Sequence, residues 1–596
     1  MAINNIRRLA ALRAAMARKG MAAYIITGSD AHMSEYVPER WMTRQWLSGF
    51  TGSAGTLVVT AGKAGLWTDS RYFIQAAAQI KGTGIELYRA GLPGSLSVHD
   101  FLTGELSAGY VAGVDGKSFS AADARTLNNV LSGAGIRLDA SADLFDEIWD
   151  DRPGLPGRES YNMHEDIAGR TVKDKLEDIA GRLRHDGADA VLLCALDEVA
   201  WTFNIRGYDV EYTPLVMAYA FVSEKASVIF ISPGKLDSET KDNLTCAGVR
   251  IEDYDSITRY LPGLSEGLRL EVDMKKTSAA LFNAIPQHCR IVEGVTAVGH
   301  LKSIKNVVEL DGFRNATELD GLAMTRLFIW LENGLRAGSR PTETDVAREL
   351  SNFRARCRHY LSDSFRSIVG YAAHGAVVHY SATEETDAVI RPEGLLLIDS
   401  GAQYLYGTTD MTRTVSLDEN PSEEAKRDFT LVLKGHISLA RCKFPAGTRG
   451  SQLDAFARKA LWDAGMDYGH GTGHGIGHCL CVHEGPQSIR REENPAELLP
   501  GMVLSNEPGL YREGRYGIRI ENMMTVCKDC ETDFGTFLRF ETLTLCPIDT
   551  RLIIVSMLTG GEREWLNNYH RMVLEKLSPA LDEEEQRWLR IKTQLI

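Results

Sequence analysis

The chain has 596 residues, of which 44% are apolar and 24% charged, and its formal net charge at pH 7 is −14. This length predicts about three domains with sizeable cores, and negative charge without any basic stripe argues against a nucleic-acid-binding protein. Ten scattered cysteines are too sparse for a disulfide scaffold, so we expect a reducing compartment and take the cytoplasm as the default.

Helices and strands alternate in the first part of the chain, which predicts a layered α/β domain over residues 1–155. The predicted elements are a helix at 4–19, strands at 22–27, 56–60 and 64–68, a helix at 72–78 and a strand at 111–115. The first helix has amphipathic spacing rather than the continuous apolar core of a secretory signal. No stretch reaches about 18 consecutive apolar residues, so we expect no membrane span. The segment at 153–157, dense in proline and glycine, is typical of a linker.

A second block, residues 156–303, looks like a copy of the first. The predicted elements are a helix at 176–185 and strands at 187–194, 216–222 and 227–231. In the aligned segments Trp201 corresponds to Trp46. A repeat interval of about 160 residues indicates duplication of a whole α/β domain rather than a solenoid.

The third block, residues 304–596, combines long helices with alternating strand patterns, which predicts an α+β domain. The predicted helices lie at 304–334, 342–358, 422–442 and 453–464. The strand patterns of this block carry the candidate functional residues.

Five ionisable side chains between residues 395 and 521 lie in apolar or glycine-rich surroundings, where a charge requires a reason. They are Asp399, Asp410, His474, Glu507 and Glu521. Four carboxylates and an imidazole cannot be buried side by side unless cations neutralise them. Oxygen-rich ligation with one nitrogen suits hard divalent metals, and the charge suits two ions rather than one. We therefore predict a two-metal centre.

The local sequence indicates how some of these residues meet. Strand-like segments at 395–399 and 409–415 are joined through glycines, so a curled hairpin is expected to bring Asp399 and Asp410 together. Arg519 is expected to contact a neighbouring carboxylate of the cluster and to support it as a ligand.

The segment His-Gly-Thr-Gly-His-Gly-Ile-Gly-His at 470–478 is too rich in glycine to form a stable helix. Its glycines instead allow extended backbone to approach a crowded centre closely. Helical HExxH zinc chemistry is excluded because no glutamate directly follows His470 or His474.

Each candidate also has an ordinary explanation when it is taken alone. Asp399 before Ser-Gly fits a turn former, Asp410 a solvated hairpin position, and His379 a packed histidine. His470 and His483 are open to the same interpretation. Only the five ligands together favour a metal centre, because buried acids without cations would be ruinous for stability.

Four motifs of the third block carry a family resemblance. They are Ile-Asp-Ser-Gly-Ala-Gln-Tyr at 398–404, His-Gly-Thr-Gly-His-Gly at 470–475, Val-His-Glu-Gly-Pro at 482–486 and Asn-Glu-Pro-Gly at 506–509. In these motifs, and over essentially its whole length, the chain resembles aminopeptidase P, the Xaa-Pro aminopeptidase family, in its long three-domain cytosolic form. The resemblance implies two duplicated N-terminal domains like that of creatinase. It also implies a pita-bread catalytic domain like those of methionine aminopeptidase and prolidase.

The resemblance further implies a role for each ligand. Asp399 would bind one metal ion, His474 and Glu507 would bind the other, and Asp410 and Glu521 would bridge both. The pair is expected to be manganese, and cobalt or zinc would fit the same ligands.

By the same resemblance, His379 contacts the substrate and handles a proton, and His470 and His483 line the proline pocket and orient the scissile carbonyl. Glu507 is expected to relay a proton toward the leaving proline nitrogen. The implied reaction removes the N-terminal residue from peptides with proline in second position, by attack of a hydroxide that bridges two metals. The implied partners are such peptides and a second copy of the chain, with residues 565–570 contributing to a homodimer.

Other residues receive no catalytic role. His374 is interpreted as preceding a strand and His436 as lying on a helix, so both are expected to be structural. His478 lies where the family often has a smaller residue, and the pocket mouth and solvent remain alternatives for it. Cys527 and Cys530 form a CxxC pair without a second pair, which predicts a surface turn.

Two alternative functions remain. Prolidase or another pita-bread hydrolase would use the same metals, but prolidase lacks the duplicated N-terminal half. A metal-free binding scaffold of the same fold is disfavoured by the intact ligands and pocket histidines.

Overall fold

The computed structural model describes residues 2–596, without the side chain of Ala2. The chain forms two compact units. One comprises the described residues up to His164 together with Arg170–Leu301, and the other comprises Glu165–Gly169 with Lys302–Ile596. These units do not separate the predicted first and second domains, so the boundaries at 155 and 303 stay predictions. No helix of the described residues has the length and apolar content to cross a bilayer.

A six-stranded sheet organises the first half of the first unit. Its strands are β1 Ala23–Ile26, β2 Thr56–Thr60, β3 Ala64–Thr68, β4 Glu86–Arg89, β5 Val111–Val114 and β6 Arg137–Asp139. The helices are α1 Ala2–Arg18, α2 Thr43–Ser48, α3 Phe73–Gln79, α4 Val98–Glu105, α5 Ala121–Gly133 and α6 Phe145–Ile148. Alternate residues of β1 pack into two different hydrophobic cores. Tyr24 and Ile26 belong to one core, and Ala23 and Ile25 belong to the other. This alternation is expected for a strand covered on both faces.

A second sheet repeats the first. The elements of this part are β7 Tyr161–Asn162, α7 Glu165–Ala168, α8 Val172–Asp186, β8 Ala190–Leu193, α9 Leu196–Thr202, β9 Ile205–Arg206, β10 Ala218–Ser223, β11 Ser227–Ile231, α10 Ser238–Cys246, β12 Val249–Glu252, α11 Ile257–Tyr260, β13 Arg269–Val272, α12 Ala279–Ala284, β14 Arg290–Glu293 and α13 Ala297–Ser303. The first sheet has the order β4-β3-β2-β1-β5-β6 and the second β12-β11-β10-β8-β13-β14. At each position in this order, the pair of adjacent strands has the same orientation, parallel or antiparallel, in both sheets. The predicted duplication is therefore confirmed.

The second unit contains long helices and several antiparallel sheets. Besides the short α7, its helices are α14 Val307–Arg336, α15 Glu343–Ala355, α16 Glu423–Ala440, α17 Gly450–Trp462, α18 Gly560–Leu577 and α19 Glu583–Lys592. Its strands are β15 Tyr360–Asp363, β16 Ile368–Tyr371, β17 Leu395–Ser400, β18 Ala402–Tyr404, β19 Gly407–Thr408, β20 Met411–Ser416, β21 Lys443–Pro445, β22 Gly473–Gly475, β23 Glu484–Ile489, β24 Val503–Asn506, β25 Gly509–Arg512, β26 Tyr516–Arg519, β27 Asn522–Thr532 and β28 Gly535–Thr542. The sheets are β15-β18-β19, β16-β17-β20, β25-β26 and the six-stranded β21-β28-β27-β24-β22-β23.

The long helix α14 begins three residues later than predicted because Asn306 caps it. Asn306 Oδ1 accepts from the Glu309 amide at 3.0 Å, and Glu309 Oε2 accepts from the Asn306 amide at 2.9 Å. This reciprocal pair satisfies two amides that lack partners at a helix N-terminus. The capped helix then buries Phe313 and Leu327 in the cores of this unit.

The predicted surface turn at Cys527 and Cys530 is wrong. Both cysteines lie in β27, which pairs with β28 as far as Thr532. The register shifts between Lys528 and Cys530. A β-bulge thus accommodates the polar segment within a strand, so the chain does not turn there.

Candidate metal centre

Asp399 and Asp410 are brought together by the pairing of β17 with β20. These antiparallel strands place Asp399 opposite Thr412, and Asp410 directly precedes β20. Where the chain leaves β17, a Cβ on Gly401 would collide with the carbonyl oxygen of Thr409, so only glycine allows this close approach. The expected hairpin is present, and both carboxylates lie at the same end of it.

His474 and Glu507 come from neighbouring strands of the six-stranded sheet. His474 lies in β22 and Glu507 directly follows β24, which pairs with β22. The His474 amide donates to Ser505 Oγ at 3.0 Å, and the Glu507 amide donates to the Thr472 carbonyl at 2.8 Å. A Cβ on Gly473 would collide with the carbonyl oxygen of Ser505. The glycine-rich segment is therefore extended and closely packed here, as predicted.

Glu521 lies between β26 and β27 and is tied to the hairpin by Thr412. The Glu521 amide donates to the Thr412 carbonyl at 3.1 Å, and Thr412 Oγ1 donates to Glu521 Oε2 at 2.6 Å. Because Thr412 is paired with Asp399, these two hydrogen bonds bring Glu521 to the carboxylates of the hairpin.

The structure brings the predicted ligands into one buried cluster. His474 Nε2 lies 3.4 Å from Asp410 Oδ2 and 3.5 Å from Glu507 Oε1. Asp410, His474 and Glu521 each offer a ligand atom, and these atoms lie within 4.8 Å of one another. Asp399, Asp410 and Glu521 are only 9%, 3% and 2% exposed. Acids buried this closely are strongly unfavourable unless positive charge compensates them.

Burial and mutual repulsion shift the pKa values of the cluster. Burial raises the pKa of Asp399, and the charge of Asp410 raises it further. Burial also raises the pKa of Glu507 and, together with the surrounding carboxylates, raises the pKa of Glu521 well above its usual range. Burial alone would lower the pKa of His474, but the hydrogen bond to Asp410 and the charge of Glu507 raise it to about 9. Without cations the cluster therefore retains protons at neutral pH.

The donor set fits a pair of divalent cations. Asp399 Oδ2 accepts from Arg519 Nη2 at 2.6 Å, whereas the buried Asp399 Oδ1 has no hydrogen-bond partner. A metal ion would satisfy this orphaned oxygen, since carboxylate oxygens are the ligands that hard divalent ions prefer. Arg519 supplies a single positive charge, which cannot neutralise four carboxylates.

Tyr511 is a residue of this site that the sequence pattern did not reveal. Arg519 Nη1 donates to Tyr511 Oη at 2.6 Å, and Tyr511 Oη lies 2.8 Å from His470 Nε2. Because the same guanidinium contacts Asp399, a continuous hydrogen-bonded chain runs from His470 to Asp399. In the sequence Tyr511 is an ordinary aromatic residue of a short strand, so no local signal marked it.

Two of the predicted pocket histidines contact the cluster. His470 Nδ1 lies 3.9 Å from Glu507 Oε2. The His483 ring stands nearly perpendicular to the His474 ring, with 4.4 Å between their centroids. Both imidazoles thus lie beside predicted metal ligands.

The third pocket histidine, His379, is half-buried in the segment that follows β16. The carbonyl oxygen of the preceding residue, Val378, accepts from Arg519 Nη2 at 3.3 Å. Arg519 therefore connects the backbone beside His379 with Asp399.

Three further histidines are structural in their contacts. His374 follows β16 and does not precede a strand as predicted, because the apolar run before it forms that strand, and its Nδ1 contacts Glu343. His436 is fully buried in α16, and burial lowers its pKa to about 3. His478 is 2% exposed and packs edge-on against Phe313, so the solvent alternative for it is wrong.

Family models match nearly the whole chain. The model of metallopeptidase family M24 matches residues 311–528, and that of the C-terminal region of peptidase M24 matches residues 536–596. Two models of the creatinase/prolidase N-terminal domain match residues 8–148 and 151–309. The predicted fold class, two duplicated N-terminal domains before a pita-bread domain, is confirmed.

Individual relatives are similar over most or all of their length. Aminopeptidase P2 of Arabidopsis thaliana is 40% identical over 96% of this chain and 85% of its own. The probable Xaa-Pro aminopeptidase P of Laccaria bicolor is 39% identical over 99% of this chain and 93% of its own. The crystal structure of X-prolyl aminopeptidase from Caenorhabditis elegans, described as a cytosolic enzyme with a di-nuclear active site, is 35% identical. It covers 99% of this chain and 100% of its own, with a TM-score of 0.95. The chain therefore belongs to metallopeptidase family M24 and, within it, to the Xaa-Pro aminopeptidase P branch.

Proposed function

We propose that this protein is an aminopeptidase that removes the N-terminal residue from peptides with proline in second position. The observation that carries the proposal is the buried cluster of Asp410, His474 and Glu521, whose ligand atoms lie within 4.8 Å of one another. Its neighbour Asp399 retains a buried oxygen without a hydrogen-bond partner. The family membership of the chain gives this cluster its chemical context.

Two divalent ions are the proposed cofactors, with manganese preferred and cobalt or zinc fitting the same ligands. Asp399 would hold one ion, and His474 and Glu507 would hold the other. Asp410 and Glu521 would each contact both ions. The 3.4 Å and 3.5 Å separations of His474 Nε2 from Asp410 and Glu507 support this assignment. Such ions lower the pKa of bound water and polarise the scissile carbonyl.

The protein's own side chains would position the peptide and carry protons. The leaving group is the nitrogen of a tertiary amide, which must be protonated before it departs. We assign that transfer to Glu507, whose carboxylate lies beside His474 and His470 and can pass a proton from the attacking water to the leaving nitrogen. His379, His470 and His483 would contact the substrate, and the hydrogen bond of His470 to Tyr511 supports a fixed ring orientation.

The proposal extends to organisation and location. Domains at 1–155, 156–303 and 304–596 fit the duplicated sheets and the family models. The cytoplasm is the proposed location, supported by the description of the nematode relative as cytosolic. Peptides are the proposed partners, with neither nucleic acid nor membrane.

A homodimer is also proposed, but only exposed residues of the segment at 565–570 can contribute to its interface. Leu566, Tyr569 and His570 are buried within their own unit. A dimer contact in this segment would therefore use an exposed neighbour such as Asn568. Sedimentation velocity would test the association.

The decisive experiment compares Arg-Pro-Pro with Arg-Ala-Pro, using protein of measured metal content with and without added manganese. We expect release of arginine from Arg-Pro-Pro only, stimulated by manganese. Full metal content with cleavage of Arg-Ala-Pro and not Arg-Pro-Pro would defeat the proline assignment. Cleavage restricted to Xaa-Pro dipeptides would indicate a prolidase, and absence of both metal binding and hydrolysis would indicate a scaffold.

A further inference from the structure

Glu343, in the first turn of α15, is a fully buried carboxylate that accepts hydrogen bonds from four donors. It contacts two backbone amides and two side chains. The donors are the Tyr371 amide at 2.8 Å, His374 Nδ1 at 2.9 Å, Tyr380 Oη at 2.8 Å and the Ala388 amide at 3.0 Å. A buried carboxylate is tolerated when it is hydrogen-bonded in this way, and charge-assisted bonds of this kind are the strong ones.

All four partners belong to one segment, residues 371–388. Apart from a 3-10 turn at Ala372–Ala376, most of this segment has no regular secondary structure. Its conformation must therefore be fixed by contacts other than a strand ladder or a long helix. Glu343 supplies such contacts at both ends of the segment and in its middle.

His379 lies between two residues that are anchored from opposite sides. Tyr380 donates its hydroxyl to Glu343. Val378 accepts from Arg519 through its carbonyl, and Arg519 in turn donates to the metal ligand Asp399. The backbone of His379 is thus held between the carboxylate of α15 and the guanidinium beside the cluster.

We propose that Glu343 is a positioning residue for the reaction, acting through His379. The proposal rests on the proposed function, because it concerns a substrate-contacting role of His379 at the same site. Glu343 fixes the segment 371–388, and the fixed segment sets the position of His379 between Tyr380 and Val378. Loss of Glu343 leaves the metal ligands in place and releases His379 from that position.

The test is a double-mutant cycle of Glu343→Gln and His379→Ala on metal-loaded protein. The matched control is Glu349→Gln on the same helix, where the carboxylate accepts from Asn352 at 3.1 Å. For Arg-Pro-Pro, Glu343→Gln should lower kcat by on the order of 10²-fold, as expected for a displaced catalytic group. Metal content should stay unchanged, and Glu349→Gln should match the wild type.

The cycle distinguishes positioning from general destabilisation. In the His379→Ala background, Glu343→Gln should cause no further loss of kcat, because its effect has already been removed. Losses that multiply independently would overturn the proposal. The same holds if Glu343→Gln lowers metal content in proportion to activity.

Amide hydrogen exchange supplies a readout that does not depend on turnover. Glu343→Gln should accelerate exchange in peptides covering 371–388 and leave peptides around Asp399 and Glu507 unchanged. Unchanged exchange in 371–388 would overturn the proposal.

If Glu343→Gln does not fold, Tyr380→Phe replaces it. This change removes one of the four donors without removing the buried carboxylate. A smaller decrease in kcat that vanishes in the His379→Ala background supports the proposal, and an equal decrease in that background overturns it. If the wild type carries metal yet cleaves no Xaa-Pro peptide, the proposed function fails, and the exchange experiment still decides whether Glu343 holds the segment.

Discussion

Arg519 donates from Nη2 to Asp399 Oδ2 at 2.6 Å and leaves Asp399 Oδ1 without a partner. One oxygen of the carboxylate is thereby fixed, and the other remains available for a metal. Arg519 is itself 2% exposed and also contacts Tyr511, so its guanidinium is held from two sides. Groups that orient a metal ligand in this way strongly affect metal affinity.

Arg519→Lys should weaken both metal binding and turnover. A lysine cannot donate to Asp399 and Tyr511 together in the planar geometry of a guanidinium. We expect a loss of about 10- to 100-fold in metal affinity or kcat/KM. Metal titration and Arg-Pro-Pro turnover measure it. Arg515→Lys is the control, because Arg515 is half-exposed and pairs with Glu424 away from the cluster. Wild-type behaviour of Arg519→Lys would contradict the assigned role.

Asp410→Ala should abolish turnover while the fold persists. The substitution removes the carboxylate nearest to His474 Nε2 and one of the two proposed bridging ligands. Because the metal-free cluster is crowded with acids, loss of one acid should not destabilise the metal-free protein. Circular dichroism, metal analysis and peptide turnover together test this expectation. Two ions per chain with wild-type turnover would refute the ligand assignment.

Metal affinity should rise with pH up to about pH 9. The raised pKa values of Asp399, Glu507 and Glu521, and the pKa of about 9 for His474, mean that metal-free protein carries protons that metal must displace. Lower pH therefore favours the protonated, metal-free form. Calorimetric metal titrations in two buffers of different ionisation enthalpy should reveal proton release. A heat independent of the buffer would contradict the prediction.

Glu484→Gln should destabilise the second unit strongly. Glu484 is buried with Lys302, 2.9 Å away, and with Lys305, and the substitution removes the carboxylate that both buried ammonium groups contact. Removing one partner of a buried ion pair typically costs about 3–5 kcal/mol. Urea denaturation would measure the change.

A neutral replacement provides the check on that explanation. Replacing Glu484, Lys302 and Lys305 together by apolar residues of similar volume should restore most of the stability, because the two lysine charges are removed together with the carboxylate. A triple variant as unstable as Glu484→Gln would attribute the loss to packing instead of charge.

Glu271→Gln should flatten the pH dependence of stability in the first unit. Burial raises the pKa of Glu271 from 4.5 to about 7. A raised pKa means that the stabilisation is complete below the unfolded value and is lost as pH rises through about 7. The loss amounts to about 3 kcal/mol at about 1.4 kcal/mol per pKa unit.

Denaturation midpoints of wild type and Glu271→Gln at pH 5, 6, 7 and 8 would test this. The wild type should lose stability across that range and the variant should lose less. Glu252→Gln, at a partly exposed position, serves as the control. Parallel pH profiles for wild type and Glu271→Gln would exclude Glu271 as the cause.

Local sequence patterns predicted most helices and strands and the hairpin at Asp399. They did not predict contacts between residues that lie far apart in the sequence. The apolar run before Asp399 and the glycines after it were sufficient to predict β17 and its approach to Asp410. Glu343 gave no such signal, because its partners lie 28 to 45 positions away. The sequence likewise did not reveal that the lysines at 302 and 305 pair with Glu484, since that contact spans 179 positions for Lys305.

The close approaches at Gly401 and Gly473 limit how this centre can change. At both positions even a methyl group would strike a backbone carbonyl, which cannot rotate aside as a flexible side chain can. At both positions, close to predicted ligands, main chain therefore packs directly against main chain, and no side chain fits between the two segments. Substitutions that change the substrate specificity would therefore have to occur in the surrounding loops, because neither glycine can be replaced.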